Sequence, residues 1–295
     1  MSISADASAA ALREEQTPAR LEAAPSDALG LSAPPRLYQT PRPRRLSLAL
    51  RILGPALLLV LWAIGSGTGF IADNVLASPW EVVQTAARLF ETGVLWHHLS
   101  MSLGRAALGL AAGGAFGLVL GMTAGLSKLG EELLDPTVQM VRAIPFLALV
   151  PLFIVWFGIG ETSKVLLVAA AAAKPMYLNA FAGARNVDRK LVEMAQIFGV
   201  SRIRQITELF LPAALPSLMV GLRLSTSLSL IALIAVEVIN TSRGLGFLML
   251  QAQEFFKTGI LVVCMVLYAL LGLGTDLLVR FLERVFIPWR QPGAS

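Results

Sequence analysis

"RNVDRKLVEMAQIFGVSRIRQITELFLPAALPS", residues 185–217, is a charged and polar stretch set between long hydrophobic segments. After Asp188, the residues Leu191, Met194, Ala195 and Phe198 recur at helical spacing, while Arg189, Lys190, Glu193 and Gln196 take the other faces, which predicts a short amphipathic helix. Gly199 ends it, since glycine most readily takes the left-handed conformation that closes a helix. Ser201 is a suitable N-cap for a second short helix carrying Ile203, Ile206 and Leu209. Pro212 restrains Leu211 and is expected to end or bend that helix before the next hydrophobic run. The stretch therefore reads as helix, sharp turn, helix: a knob. Amphipathicity alone leaves open a connector lying in the lipid headgroup layer.

The 295-residue chain is 56% hydrophobic and only 15% charged, with a mean hydropathy of +0.70, which excludes an ordinary soluble domain. Its net charge of +5 does not point to nucleic acid, because the basic residues sit between hydrophobic segments, as they do on the cytoplasmic side of a membrane. The one cysteine, Cys264, lies in an apolar run, so neither an intrachain disulfide nor a thiolate metal site is expected. Residues 1–46 are rich in Ala, Pro, Ser and Arg and end in Arg42, Arg44 and Arg45, the composition of a disordered tail. "RRLSLALRILG", residues 44–54, has the look of a twin-arginine export signal, but the apolar run reaches spanning length and further spans follow, so it is read as a retained anchor.

Six stretches are long and apolar enough to span a bilayer: 47–66, 102–124, 138–157, 163–182, 214–238 and 259–281. The fold class expected is an all-α membrane protein with one six-helix transmembrane domain over residues 47–285 and a short tail over 286–295. Six spans put both termini on one side. Sixteen Lys and Arg then fall on the terminal side, against Arg88, Lys164, Arg243 and Lys257 opposite, so both termini and the quoted stretch are expected to be cytoplasmic.

Gly109, Gly113, Gly117, Gly121 and Gly125 recur every four residues along the second span and share one helical face. Such a face admits another backbone closely, either within the chain or between subunits. Pro145, Pro151 and Pro175 each remove a backbone donor and bend their helices locally. Charged residues inside spans are costly and so informative: Arg105, Arg142, Lys174, Arg223 and Glu237. Arg105 and Arg142 lie near span ends and are expected to snorkel to the interface. Arg223, Ser227 and Glu237 lie on nearly one face of the fifth span, the first and last about 21 Å apart along the axis. They are candidates for lining a pathway, or for pairing with another span.

The order Glu193-Met194-Ala195, three residues, Gly199, nine residues, Leu209-Phe210-Leu211-Pro212 resembles the EAA loop of ABC-importer membrane subunits, with Met194 for an alanine and Leu209 for an isoleucine. "PLFIVWFGIGETSKV", "RNVDRKLVEMA", "LPSLMVGLR" and "LYALLG" are similar to the aliphatic sulfonate permeases of that family, with taurine and nitrate or bicarbonate permeases as near relatives. The resemblance covers about residues 50–290. It implies the type I ABC importer permease fold and a homodimer in the bacterial inner membrane. Glu193, Met194, Ala195, Gly199, Leu211 and Pro212 would couple to a separate ATPase subunit, which binds the ATP. A periplasmic or lipid-anchored binding protein would deliver a small organic anion, most simply an aliphatic sulfonate.

No G-x-x-x-x-G-K-[ST] phosphate loop occurs, so ATP is not expected to bind this chain through such a loop. His97 and His98 are adjacent and read as a wet helix end; no catalytic group, cofactor or metal site is expected. Two rival classes remain. An ion-coupled secondary transporter calls for ionisable residues near the midplane and internal repeats. A membrane scaffold would make the loop spacing a coincidence. Topology is testable in a Cys264→Ala background: an impermeant thiol reagent should label Gln205→Cys only from the cytoplasmic side and Thr162→Cys only from outside. The reverse labelling overturns the six-span arrangement.

Overall fold

A computed structural model describes residues 44–72, 74–239 and 241–287. The tail expected over residues 1–46 lies outside them up to residue 43, as does the C-terminal tail from residue 288. By contacts the chain forms two compact units, Met1–Leu57 and Leu58–Ser295. Helix α1 is Arg44–Gly67. The second unit carries α2 (Pro79–Glu91), α3 (Val94–Leu126), α4 (Lys128–Ala143), α5 (Phe146–Phe157), α6 (Glu161–Arg185), α7 (Arg189–Ile197) and α8 (Arg202–Gln205). A wide π turn, Ile206–Phe210, then leads into α9 (Leu211–Ile239), α10 (Leu245–Glu254) and α11 (Thr258–Phe286). All regular structure among the described residues is helical.

Four helical runs have the length and apolarity of a bilayer span: Val94–Leu126, Glu161–Arg185, Arg202–Ile239 and Thr258–Phe286. The expected third span, 138–157, is not one helix. It is the pair α4 and α5, bent by 98° between them, and it counts as a fifth span only if the pair crosses together. Pro145 is the reason, because its ring holds Ile144 extended, at φ −72° and ψ 123°. The Ile144 carbonyl freed there accepts from Lys174 Nζ at 3.2 Å, which gives that intramembrane lysine its partner. In contrast, α6 runs through Pro175 without a break.

The centre of the bundle is α6. Its run of small residues, "AAAAAK" from Ala169 to Lys174, keeps it thin, so α3 and α9 pack closely on two adjacent faces. On the α3 side the five-glycine stripe lies against the α6 backbone. A Cβ on Gly113 would strike the Ala169 carbonyl, one on Gly117 the Ala173 carbonyl, and one on Gly121 would come within 2.5 Å of the Tyr177 carbonyl. The stripe thus serves packing within the chain. On the α9 side Gly183 sits against Ala214, Gly221 against Asn179, and Ser225 Oγ donates to the Ala172 carbonyl at 2.8 Å.

The end of the bundle remote from residues 185–213 is closed by a buried ion network. Glu237, fully enclosed near the end of α9, accepts from Arg105 Nη1 at 2.6 Å, Gly246 N at 2.9 Å and Tyr268 Oη at 3.1 Å. Ser102 Oγ lies 2.8 Å from both of its oxygens and itself accepts from Leu245 N. Arg105 grips Glu161 bidentately, Nε to Oε2 at 2.6 Å and Nη2 to Oε1 at 2.8 Å, and donates to the Arg243 carbonyl at 2.6 Å. Arg105 therefore does not snorkel: it is 4% exposed and points inward, because two carboxylates and a carbonyl outbid the interface for its donors. The Arg142 side chain lies outside what the structure describes. Gly244, at φ +128°, is required here, since a Cβ would fall on the Glu237 carboxylate and on Arg105 Nη1.

Two substitutions test this packing. Gly113→Leu should cost about 2 kcal/mol or more through overpacking, whereas Gly104→Leu, on the same helix with no atom within 4 Å of its Cβ position, should leave the melting temperature of the purified protein unchanged. Glu237→Ala should cost about 3–5 kcal/mol by leaving Arg105 buried beside an empty space. Equal tolerance of Gly113→Leu and Gly104→Leu would contradict the close contact of α3 with α6.

Candidate functional site: a knob below the bundle

The predicted knob is present. Asp188 caps α7, its carboxylate accepting from Lys190 N at 2.9 Å. Gly199 stands at φ +68°, with Gly199 N bonded to the Gln196 carbonyl at 3.0 Å and Val200 N to the Ala195 carbonyl at 2.9 Å, the paired bonds of a left-handed helix end. Nothing lies within 4 Å of its Cβ position, so the turn needs glycine for its backbone angles and not for space. Ser201 occupies the N-cap position of the second helix but makes no side-chain cap; its carbonyl accepts from Gln205 N at 2.9 Å, and Gln205 Nε2 reaches back to the Val200 carbonyl at 2.7 Å.

The expectation at Pro212 is corrected. The second helix does not end there; it passes through the π turn, where Leu211 N bonds to the Ile206 carbonyl, directly into α9. The wider turn just before Pro212 absorbs the ring and its missing donor, so Leu211 and Pro212 form the first turn of a long helix. The knob is thereby continuous with α9.

Met194 is 52% exposed and Ile197, which the spacing argument passed over, is 82% exposed; Leu191, Phe198 and Ile203 are exposed as well. The two-helix tip thus carries much more exposed apolar surface than a solvated loop does. Ala195 is half-buried and Glu193 exposed. Glu193 borders a cleft of about 390 Å³ between α7 and the ends of α3 and α6, lined also by Lys128, Glu131, Arg185, Arg189 and Gln196. The root of the knob is braced across this cleft, where Arg185 pairs with Glu131 and lies 5.6 Å from the Phe181 ring centroid.

The three candidate pathway residues are not brought together. Arg223 Nη2 donates to Glu283 at 3.2 Å and its Nε lies 3.3 Å from Asp276, so it ties α9 to α11. Ser227 is exposed and its hydroxyl donates back to the Arg223 carbonyl at 3.1 Å. Both border an open face of α9 carrying Val220, Leu224, Leu228 and Ile231. Glu237 lies nearly in line with them along α9 but is covered by the turn into α10 and has no open surface. Sequence reasoning missed Arg105 as its partner, and Glu161 as the second carboxylate held by that arginine; the acid at the start of the fourth span and the arginine one turn into the second are the signal that was available.

Comparison with known proteins agrees with this geometry. Residues 115–287 match the family described as "Binding-protein-dependent transport system inner membrane component". A protein of Escherichia coli named for aliphatic sulfonates transport, the permease SsuC, is 44% identical over 80% of this chain and 89% of its own length. The taurine transport system permease TauC of the same organism is 34% identical over 85% and 93%. In fold, the chain is similar to a crystal structure of an amino acid ABC transporter, with a TM-score of 0.52 at 20% identity, over 68% of this chain and 97% of that one. A multi-pass helical bundle with a rigid apolar knob at one end, matched over these lengths, belongs to the binding-protein-dependent transport system inner membrane components.

Proposed function

We propose that this chain is the membrane permease of an ATP-driven importer of aliphatic sulfonates, with the knob docking on a separate ATPase subunit in the cytoplasm and a binding protein delivering substrate at the opposite end. The knob is the observation that carries the coupling: an exposed apolar tip, held by a glycine-specific turn and continuous with α9. Closure of the ATPase subunits on ATP would move the knobs of two copies of the chain together, tilt α9, and open the pathway outward. The substrate class rests on the sulfonate-named relative standing above the taurine-named one in identity, 44% against 34%.

The open face of α9 is the proposed route, at a homodimer contact within the lipid bilayer. Arg223 is held there by Asp276 and Glu283, so a passing anion must compete with two carboxylates for it. That competition suits transport, because a strong bidentate grip on the anion would slow its release. Taurine, nitrate and bicarbonate are the alternative cargoes. An ion-coupled mechanism finds little support, since Glu237 is enclosed and already paired with Arg105.

Coupling and cargo have separate tests. Gly199→Val forces a β-branched side chain to a positive φ and should abolish transport and binding-protein-stimulated ATP hydrolysis at near-normal membrane expression, while Gly199→Asn should retain much of both; Glu193→Ala should lose activity likewise. Unchanged transport in Gly199→Val and Glu193→Ala removes the knob from the mechanism. For cargo, growth on an alkanesulfonate as sole sulfur source should require this gene. Growth indifferent to its deletion, alongside dependence on it for taurine or nitrate, replaces the sulfonate assignment.

A further inference from the structure

At the end opposite the knob, residues 255–257 join α10 to α11. Here α10 closes through Phe256 N bonded to the Gln253 carbonyl at 3.2 Å and Lys257 N to the Ala252 carbonyl at 2.7 Å. These are the same paired bonds that end α7, and they require the residue after the cap to be left-handed. In α7 that residue is Gly199; in α10 it is Phe256, at φ +53°, the one non-glycine with positive φ among the described residues. A bulky side chain in this region is strained, and strain of this kind persists where the side chain is needed. The protein's own core does not need it, because Phe256 is 85% exposed. Its neighbour Phe255 is occupied differently, with Lys257 Nζ 5.8 Å from its ring centroid. The same end also presents Ile159, 78% exposed in the turn before α6, and the exposed Arg243.

We infer that Phe256 is an anchor residue by which the external binding protein docks on this chain, an aromatic held at a fixed backbone position at the end that also presents Phe255, Lys257, Ile159 and Arg243. The inference rests on the proposed function, which supplies the binding protein. Lipid is the other taker for an exposed phenylalanine and fits less well. The aromatic residues that suit the headgroup layer are Trp and Tyr, which carry a polar edge, and a fluid layer accepts an apolar ring at many positions without demanding one strained backbone angle. A rigid partner pocket does demand it.

The experiment uses the permease assembled with its ATPase subunits in phospholipid nanodiscs, and a binding protein that stimulates the wild-type complex, loaded with ethanesulfonate. Phe256→Gly relieves the backbone and removes the ring; Phe256→Ala removes the ring and keeps most of the strain. Phe256→Gly should raise the melting temperature of the complex yet weaken its affinity for the loaded binding protein about tenfold or more, and Phe256→Ala should weaken affinity equally without the thermal gain. Basal ATP hydrolysis should stay at the wild-type level in both. Unchanged affinity in both variants overturns the inference, and unchanged affinity with a lowered melting temperature in nanodiscs assigns the ring to lipid instead. If no external binding protein stimulates the wild-type complex, the proposed function itself fails, and the inference with it.

Discussion

Lipid gives an apolar helix face little reason to prefer another helix, so helices in a bilayer must be held by close approach and by polar contacts. The contact of α3 with α6 is the close approach on which this bundle depends. Five glycines on α3 let its backbone reach the carbonyls of α6, and the small residues of α6 let α9 approach on the adjacent face. The three helices therefore form one solid block, and α6 is its most enclosed member, half buried over its apolar window where α11 is 17% buried. The knob grows from the C-terminal end of α6 and returns into the N-terminal end of α9, so both of its roots are fixed in that block.

The opposite end of the block is held by charge. In a low-dielectric setting an isolated carboxylate is prohibitively costly, and Glu237 is tolerated only because Arg105, Ser102, Tyr268 and the Gly246 amide satisfy it together. Those partners come from α3, α10 and α11, and Arg105 extends the set to Glu161 at the start of α6. Glycine contacts along the length and an ion network at one end leave the block few ways to deform internally. Under the proposed function, a displacement applied at the knob would be passed on as a tilt of the whole block, the motion alternating access requires.

Much of this was legible in the sequence because the relevant constraints are local. A glycine every four residues marks a face of close backbone approach and a glycine ending an amphipathic run marks a left-handed helix end, and Gly113 and Gly199 stand where that spacing put them. The fate of prolines was not legible: Pro145 breaks its span by holding Ile144 extended, and the freed Ile144 carbonyl is taken by Lys174, thirty residues on, while Pro212 is absorbed by a π turn that no sequence period announces. The same limit applied to charge. Arg105 read alone resembles a snorkelling residue, and only the fold brings Glu161 and Glu237 within reach of it, 56 and 132 positions along the chain. Arg223 was singled out correctly as a charge needing explanation, but its partners Asp276 and Glu283 follow from the antiparallel register of α9 and α11.

The central claim is that the knob is a protein-docking surface for the ATPase subunit rather than a helix resting on lipid. Ile197, 82% exposed at its tip, is the position to interrogate. With the photoreactive residue p-benzoylphenylalanine placed there in the assembled complex in membranes, illumination should join the permease to the ATPase subunit in high yield, and the adduct should vanish in a Gly199→Val background. Attachment to lipid alone, with the complex intact and transport competent, would contradict it.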